Sequence, residues 1–396
     1  MRVSSWCGRR DLNPHGCPQE PETCASANFA TSAKQKNYNV YLKLCQAIPC
    51  IFLFVMVKFD LDKMRSPKKR KAKKLSKVKL WSIISISVVA FVAVALIIIN
   101  IFVPVKYLAV YCVSRNRVQK NEMRVSFIDV GFGDCTVIEL PDGKNMLIDA
   151  GNGSFTNTSK VIKALNKRDI DIIDYLICSS VNTEHCGGLA EIIKYKTVKN
   201  VYMPYCKNKY INDGFRKFYD ETVKNGVQII YSEYNAGVRE DEYFFTFLSP
   251  SVKEFDGGEY SQLNENPTKS ARNNSSAVLW LEYNETAFLF TSDVETKVLN
   301  SIVTSYELIG EDYPVKLEKC KVVQVANHGS DVSACPQFYD LINPEYAIIS
   351  VGENGSGCPS IKTISDVINS VGENLYRTDE CGTVTVKVSA EGYTVQ

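Results

Sequence analysis

Three histidines, His15, His185 and His328, are all that 396 residues contain. So few imidazoles exclude a centre with four or more histidine ligands. No internal repeat of solenoid period runs through the chain, which excludes a stacked-repeat architecture. Residues 121–396 have no dense basic stretch; the nearest is a scatter of lysines between Lys194 and Lys209, which reads as an ordinary solvated surface. A polyanion is therefore an awkward partner for that region. Residues 1–55 lack both periodicity and the layout of a signal peptide, and carry five scattered cysteines. Their character is that of a segment upstream of a more natural start at Met56 or Met64, so residues 1–63 stay outside the fold argument as doubtful or disordered.

What is present divides the chain in two. Residues 1–120 hold 21 Lys+Arg against 5 Asp+Glu, whereas residues 121–396 hold 25 against 39. Leu80 to Ile99 reads LWSIISISVVAFVAVALIII without a charge. Some 20 such residues at about 1.5 Å each span a hydrocarbon core of roughly 30 Å, so 80–103 is expected to be a transmembrane helix. The segment 64–79 before it is rich in Lys and Arg, and the other side has only Lys106, Arg115 and Arg117 nearby. This asymmetry places the N-terminus in the cytoplasm and everything beyond a 104–121 linker outside the cell membrane. A nucleic-acid patch is the weaker reading of the basic run, because beside a spanning helix such charge sets topology and meets anionic lipid.

Beyond the linker the pattern is strand-rich. Arg124–Val130, Cys135–Leu140 and Met146–Asp149 are short β-branched runs separated by glycine turns. Ile172–Cys178 is almost wholly apolar, as expected of a strand buried on both faces. Helices are predicted at 159–167, 187–194 and 214–224. Further strands are predicted near Val201 and at 244–248, 321–326, 346–351 and 383–388, and 277–283 with 287–291 read as a hairpin around Asn284-Glu285. Residues 254–274, polar and rich in Gly and Asn, read as a long loop. Strands with interspersed helices imply a layered α/β domain over 122–396.

Polar motifs fall where these strands end, the place where a rigid sheet presents functional groups. They are Asp129-Val-Gly-Phe-Gly-Asp134, Ile148-Asp-Ala-Gly151, Ser179 to Gly188, Asn273-Asn-Ser-Ser276, Thr291-Ser-Asp293, Asn327-His-Gly-Ser330, Ser350 to Asn354 with Gly357-Cys-Pro359, and Arg377 to Gly382. In this order and spacing they resemble the metallo-β-lactamase superfamily, and more narrowly the hydrolase domain of ComEC-like competence proteins and its stand-alone relatives. The resemblance covers 122–396 and implies an αββα sandwich, here preceded by a single transmembrane helix. The ComEC membrane channel has no counterpart, so DNA transport is not implied.

The family's metal loop runs His-x-His-x-Asp-His-x-Gly-Gly; here it is Ser180-Val-Asn182-Thr-Glu184-His185-Cys-Gly-Gly188. By resemblance, the first two histidines serve one metal, and the Asp-His pair with a late histidine serves the other. Ser180 and Asn182 are poor substitutes for imidazole, so the first site is degenerate. The second retains Glu184, His185, Asp293 and His328, two imidazoles and two carboxylates suited to one Zn or Mn ion. Three readings stand. In one, a single metal activates water, with Asp293 and Glu184 in catalytic roles and Asn274, Ser330 and Asn354 touching substrate. In another, no metal binds and the cleft is a catalytically inactive surface binding module. In the last, His185 and His328 are core histidines. A small phosphoester is the substrate class implied; nucleic acid is disfavoured by the acidic domain and by the loss of a second metal. Asp129 and Asp134 read as turn caps beside Gly131 and Gly133 rather than as acid/base groups, and Asp379 is placed near the cleft floor by resemblance alone.

Nine cysteines follow the apolar run, at 112, 135, 178, 186, 206, 320, 335, 358 and 381. An odd count leaves at least one thiol unpaired within the chain. Cys178 reads as a buried free thiol. Cys186, Cys335 and Cys358 map to loops around the cleft, and a disulfide between two of them, or a thiolate metal ligand, is expected there.

Overall fold

Unbroken apolar runs set the central strands of this domain, and period-2 alternation sets its edges. The computed structural model describes residues 84–95 and 116–396, apart from 207, 210 and 251–266. The first half supplies β1 (Met123–Phe127), β2 (Thr136–Glu139), β3 (Asn145–Ile148), β4 (Ile172–Ile177), β5 (Thr197–Met203) and β6 (Gln228–Tyr231). The chain then builds a second sheet from β7 (Gly237–Arg239), β8 (Tyr243–Ser249), β9 (Val278–Tyr283), β10 (Thr286–Phe290), β11 (Cys320–Gln324), β12 (Tyr346–Ile349) and β13 (Leu375–Arg377). It returns to the first with β14 (Val384–Ser389) and β15 (Gly392–Val395). The first sheet is ordered β15-β14-β1-β2-β3-β4-β5-β6 and the second β13-β12-β11-β10-β9-β8-β7.

Three separate apolar clusters show how the layers stack. Phe127, Val125, Ile148, Phe245, Phe288 and Phe290 belong to a cluster shared by both sheets. Aromatic pairs cross that interface, with Phe127 5.9 Å from Phe290 and Tyr202 5.6 Å edge-on to Phe245. Each such side chain is worth roughly 1.5–3 kcal/mol on burial. A second cluster joins the outer face of the first sheet to the helices Phe155–Lys167, Leu189–Tyr195 and Asp213–Lys224. A third joins the other sheet to Thr296–Ile309, Pro336–Ile342 and Ile361–Val371. The order is helix, sheet, sheet, helix, the two-sheet α/β architecture expected from the sequence.

The Asn284-Glu285 hairpin is as read. Both residues have positive φ, 48° and 59°, the backbone that a two-residue turn between twisted antiparallel strands requires. One loop is not. Lys269–Asn274 is helical, because the Thr268 side chain accepts the Ala271 N–H at 3.1 Å and caps a short segment in which Lys269, Ala271 and Arg272 favour helix. The remainder of that predicted loop, 251–266, lies outside the described residues.

Residues 84–95 are helical, and their apolar side chains are exposed, Ile86 at 69% and Val89 at 68%. Among the described residues no helix is long and apolar enough to cross a membrane. The ends of the expected 80–103 span, the basic segment 64–79, residues 1–63 and most of the linker lie outside the described residues.

Candidate metal centre

The carboxyl ends of parallel strands from both sheets converge on one point. In the first sheet β3 and β4 run parallel, and Asp149 and Ser179 follow their ends. In the second sheet β10, β11 and β12 run parallel, and Asp293, His328 and Ser350 follow theirs. Such strand ends gather ligand-binding groups in α/β sheets. Two backbone bonds fasten the junction, Ala277 N–H to the Ser179 carbonyl and Asn327 N–H to the Ser292 carbonyl, each 2.7 Å. Four non-glycine residues here, Asp149, Ser292, Asn327 and His328, have φ between 49° and 57°. Left-handed backbone of this kind carries strain and concentrates at functional sites. Gly133 is also required: a Cβ there would stand 2.4 Å from the Glu184 carbonyl oxygen, where the metal-loop turn packs against the Gly-Phe-Gly turn.

His185, Asp293 and His328 are buried, and their ligand atoms lie within 4.8 Å of one another. His185 Nε2 is 3.0 Å and His328 Nε2 3.5 Å from Asp293 Oδ1. None of these three atoms has a hydrogen-bond partner. Leaving a buried polar group unpaired costs about 1–3 kcal/mol, so three facing one point call for a guest. Metal bonds of about 2.0–2.1 Å in tetrahedral geometry set ligand atoms about 3.3 Å apart, close to the spacings found. The donor set therefore fits a divalent cation.

The opposite ring atoms are held. His328 Nδ1 lies 2.8 Å from the Ser350 carbonyl, which only accepts, so Nδ1 carries the proton and Nε2 is left bare. His185 Nδ1 lies 2.8 Å from Asp149 Oδ2. Asp149 is itself fixed by the Ser179 N–H at 2.8 Å and by the Ser179 hydroxyl. Phe132 covers His328, ring centroids 4.6 Å apart. Burial would push the His185 proton off, but the carboxylates of Asp293, Asp149 and Asp134 outweigh it and raise that imidazole well above the usual range. Burial likewise opposes charge on Asp293, yet His185, His328 and the Asn182 amide hold it well below the ordinary carboxylate value. At Asp134 burial wins, helped by Asp149 and Asp293, and its carboxyl is raised.

The expected residues meet in part. The Glu184 carboxylate is not among the clustered ligand atoms. On the one-turn helix Thr183–Cys186 neighbouring side chains diverge by about 100°, so 184 and 185 do not face the same point. What Glu184 contributes is its carbonyl, which accepts the Asp134 N–H at 3.2 Å. Asp134 corrects the turn-cap reading: it is 4% exposed, with carboxylate oxygens 3.5 Å from His185 Nδ1 and 3.6 Å from His328 Nδ1. Asp129 does cap its turn, accepting the Gly131 N–H at 2.9 Å.

Asn182 stands inside the site, donating to Asp293 Oδ2 at 2.7 Å and to Asn273 Oδ1 at 2.9 Å. Ser180 is fully buried and accepts the Asn182 N–H at 3.3 Å. Asn274 is engaged with Glu295 and Ser270, and Asn354 with its own loop at Gly352, Ser356 and Cys358, so both amides shape the walls. Ser330 remains half-open to solvent. Asp379 pairs with Arg377 at 2.8 Å. Cys135, Cys178, Cys186, Cys206, Cys320, Cys335, Cys358 and Cys381 are all free thiols, so no disulfide lines the cleft among the described residues. Cys335 is turned to Asn300 instead, and Cys178 is buried as expected. Sequence reasoning gave Asp149 no role; its signal was its place at the end of β3.

Residues 128–318 match the Metallo-beta-lactamase superfamily. The chain is similar to ComE operon protein 3 of Bacillus subtilis, 25% identical over 67% of this chain and 33% of that protein. It is also similar to competence protein ComA of Neisseria gonorrhoeae, 24% identical over 70% of this chain and 34% of that one. It thus spans about a third of the length of these relatives. Among solved structures it is similar to CmlA, a diiron beta-hydroxylase from Streptomyces venezuelae, with a TM-score of 0.43 and 12% identity over 68% of this chain and 55% of that one. Motifs, two-sheet fold and strand-end site agree, and the chain carries a metallo-β-lactamase superfamily domain homologous to the competence proteins.

Proposed function

We propose that residues 122–396 are a metal-dependent hydrolase that holds a single divalent cation, zinc or manganese, on His185, Asp293 and His328, and acts on a small phosphoester. The observation that carries this is the set of three buried ligand atoms without partners that point at one another. A cation bound there supplies Lewis-acid activation of water and of an ester oxygen. Asp149 and the Ser350 carbonyl orient the two imidazoles. Asn182 fixes Asp293 so that Oδ1 faces inward. Asp134, raised by burial, is placed to hold a proton beside the histidines. Where two imidazoles would hold a second cation, Ser180 and Asn182 are bonded to each other and to their surroundings, which supports a one-metal, degenerate site.

That same closed network favours a second reading, an inactive binding module that keeps the fold. We further propose that the domain lies outside the cell membrane, tethered by an 80–103 helix with the basic 64–79 segment in the cytoplasm. The exposed apolar surface of residues 84–95 supports this, and protease protection of the N-terminal side in sealed vesicles tests it.

Metal analysis of the full-length chain in detergent, followed by assay on bis-p-nitrophenyl phosphate, tests the hydrolase. One equivalent of zinc or manganese, lost in His328→Ala, with turnover that follows metal content, is the expected result. No bound metal under any supplementation would leave the binding module.

A further inference from the structure

Arg272 is the one described cation hydrogen-bonded to a residue of the site, and no described carboxylate neutralises it. It lies half-buried on the helix Lys269–Asn274. Its Nε donates to Asn182 Oδ1 at 2.9 Å and its Nη1 to the Pro267 carbonyl at 3.1 Å. Both acceptors are neutral, and Nη2 has no partner among the described residues. No described carboxylate forms an ion pair with it, whereas the buried Arg124 and Lys196 are paired with Glu139 and Asp171. Withdrawing a guanidinium from water without a counter-charge is costly. A position that maintains it is suited to a charge that arrives from solution.

The place is equally specific. Asn182 accepts from Arg272 and donates to Asp293, so the guanidinium is one amide away from a metal-ligand carboxylate. Lys269, three residues earlier on the same helix face, is exposed and close enough to Cys358 for its charge to act on that thiol. The helix thus places two cations beside the ligand cluster, one bonded to Asn182 and one near Cys358. An anionic substrate entering there otherwise faces Asp134, Asp149 and Asp293. A planar guanidinium is matched to two oxygens of a phosphate group.

We infer that Arg272, assisted by Lys269, binds the non-reacting phosphoryl oxygens of the substrate, doing by guanidinium what a second cation does in a two-metal clamp. This rests on the hydrolase reading above and names how its substrate is recognised.

Inorganic phosphate is the probe. It is titrated calorimetrically into the full-length chain in detergent, with metal content measured on the same samples. Arg272→Gln is expected to weaken phosphate about tenfold or more while metal content stays at the wild-type value. Arg272→Lys retains part of the affinity, and Lys269→Gln loses about two- to fivefold, an effect erased by salt. Should Arg272→Gln not fold, the Lys variant carries the test, since loss of the bidentate fork alone must weaken binding. Wild-type affinity in the variants, or no phosphate binding by the wild type, overturns the inference. Bound metal with Arg272-independent phosphate affinity sinks this inference alone. Arg272-dependent phosphate binding in a chain that takes no metal sinks the hydrolase reading alone.

Discussion

The two flanks of the pocket are built on opposite terms. On one, His185 Nε2, Asp293 Oδ1 and His328 Nε2 are buried without a hydrogen bond, and only charge faces charge, as between His185 and Asp293 at 3.0 Å. On the other, Ser180, Asn182, Asn273 and Arg272 form a chain of bonds in which each link is accounted for: Asn182 to Ser180, Asn273 and Asp293, Arg272 to Asn182, Asn273 to Glu295. Satisfied polar groups add little net energy, whereas orphaned ones oppose folding by about 1–3 kcal/mol each. The first flank therefore spends stability on a space for a guest, and the second is bonded throughout except at the outer end of the Arg272 guanidinium, whose described acceptors are both neutral. Asp293 belongs to both, since Oδ1 faces the orphans and Oδ2 accepts from Asn182.

The largest expected effect breaks the first flank. His328→Ala removes one of three ligands and should lower metal affinity by well over the roughly 10–100-fold typical of outer-shell changes. Competition with a chelator of known affinity measures it, and retention of wild-type affinity would show that the cation, if bound, is held elsewhere. Asp149→Asn comes next. It keeps the shape but removes the charge that holds the His185 ring, so a loss of about 10–100-fold is expected. An unchanged affinity would mean that Asp149 only braces the backbone at Ser179.

How much of this was legible beforehand follows from the kind of signal each residue emits. Strand periodicity is local, so β4 and the Asn284-Glu285 hairpin could be read directly. His185, Asp293 and His328 were marked by resemblance, since they stand at motif positions that the metallo-β-lactamase pattern assigns to one metal. Asp129 and Asp134 could not be told apart by sequence. Each neighbours a glycine turn, but one caps it from the surface and the other points into the centre, a difference made by tertiary packing. Glu184 shows the reverse: it stands at a motif position, but its carboxylate is not among the clustered ligand atoms, as expected where neighbouring side chains of a helical turn diverge by about 100°. Arg272 was hidden in a stretch that read as loop, since one capping threonine decides that it is helical. The thiols looked adjacent because their loops map to one cleft, yet side-chain direction separates Cys335, which faces Asn300.

A smaller effect sharpens the contrast from the second flank. Asn182→Ala deletes the bonds to Asp293 and Asn273 and strands the Arg272 guanidinium. A stability loss of about 1–3 kcal/mol is expected, as for other buried hydrogen bonds to charged groups. Thermal unfolding of the chelated protein measures it without contribution from bound metal. Metal affinity should fall less than in Asp149→Asn, because Asp293 keeps its place at the end of β10 while losing one tether.

The smallest effect is assigned to Glu184, one of the four ligands that the motif offers. Glu184→Gln leaves the carbonyl that accepts the Asp134 N–H untouched and alters only a half-buried carboxylate lying apart from the ligand atoms. Metal affinity should therefore stay within about twofold of the wild type, in the range of a weakly coupled surface charge. The variant differs from wild type by one oxygen-to-nitrogen exchange, so packing cannot account for a larger change. A tenfold loss would place the Glu184 carboxylate on the cation after all, requiring the Thr183–Cys186 turn to rotate when metal binds. The orphaned flank would then have four members, and its present three-atom form would be the metal-free state of a site that closes around its ion.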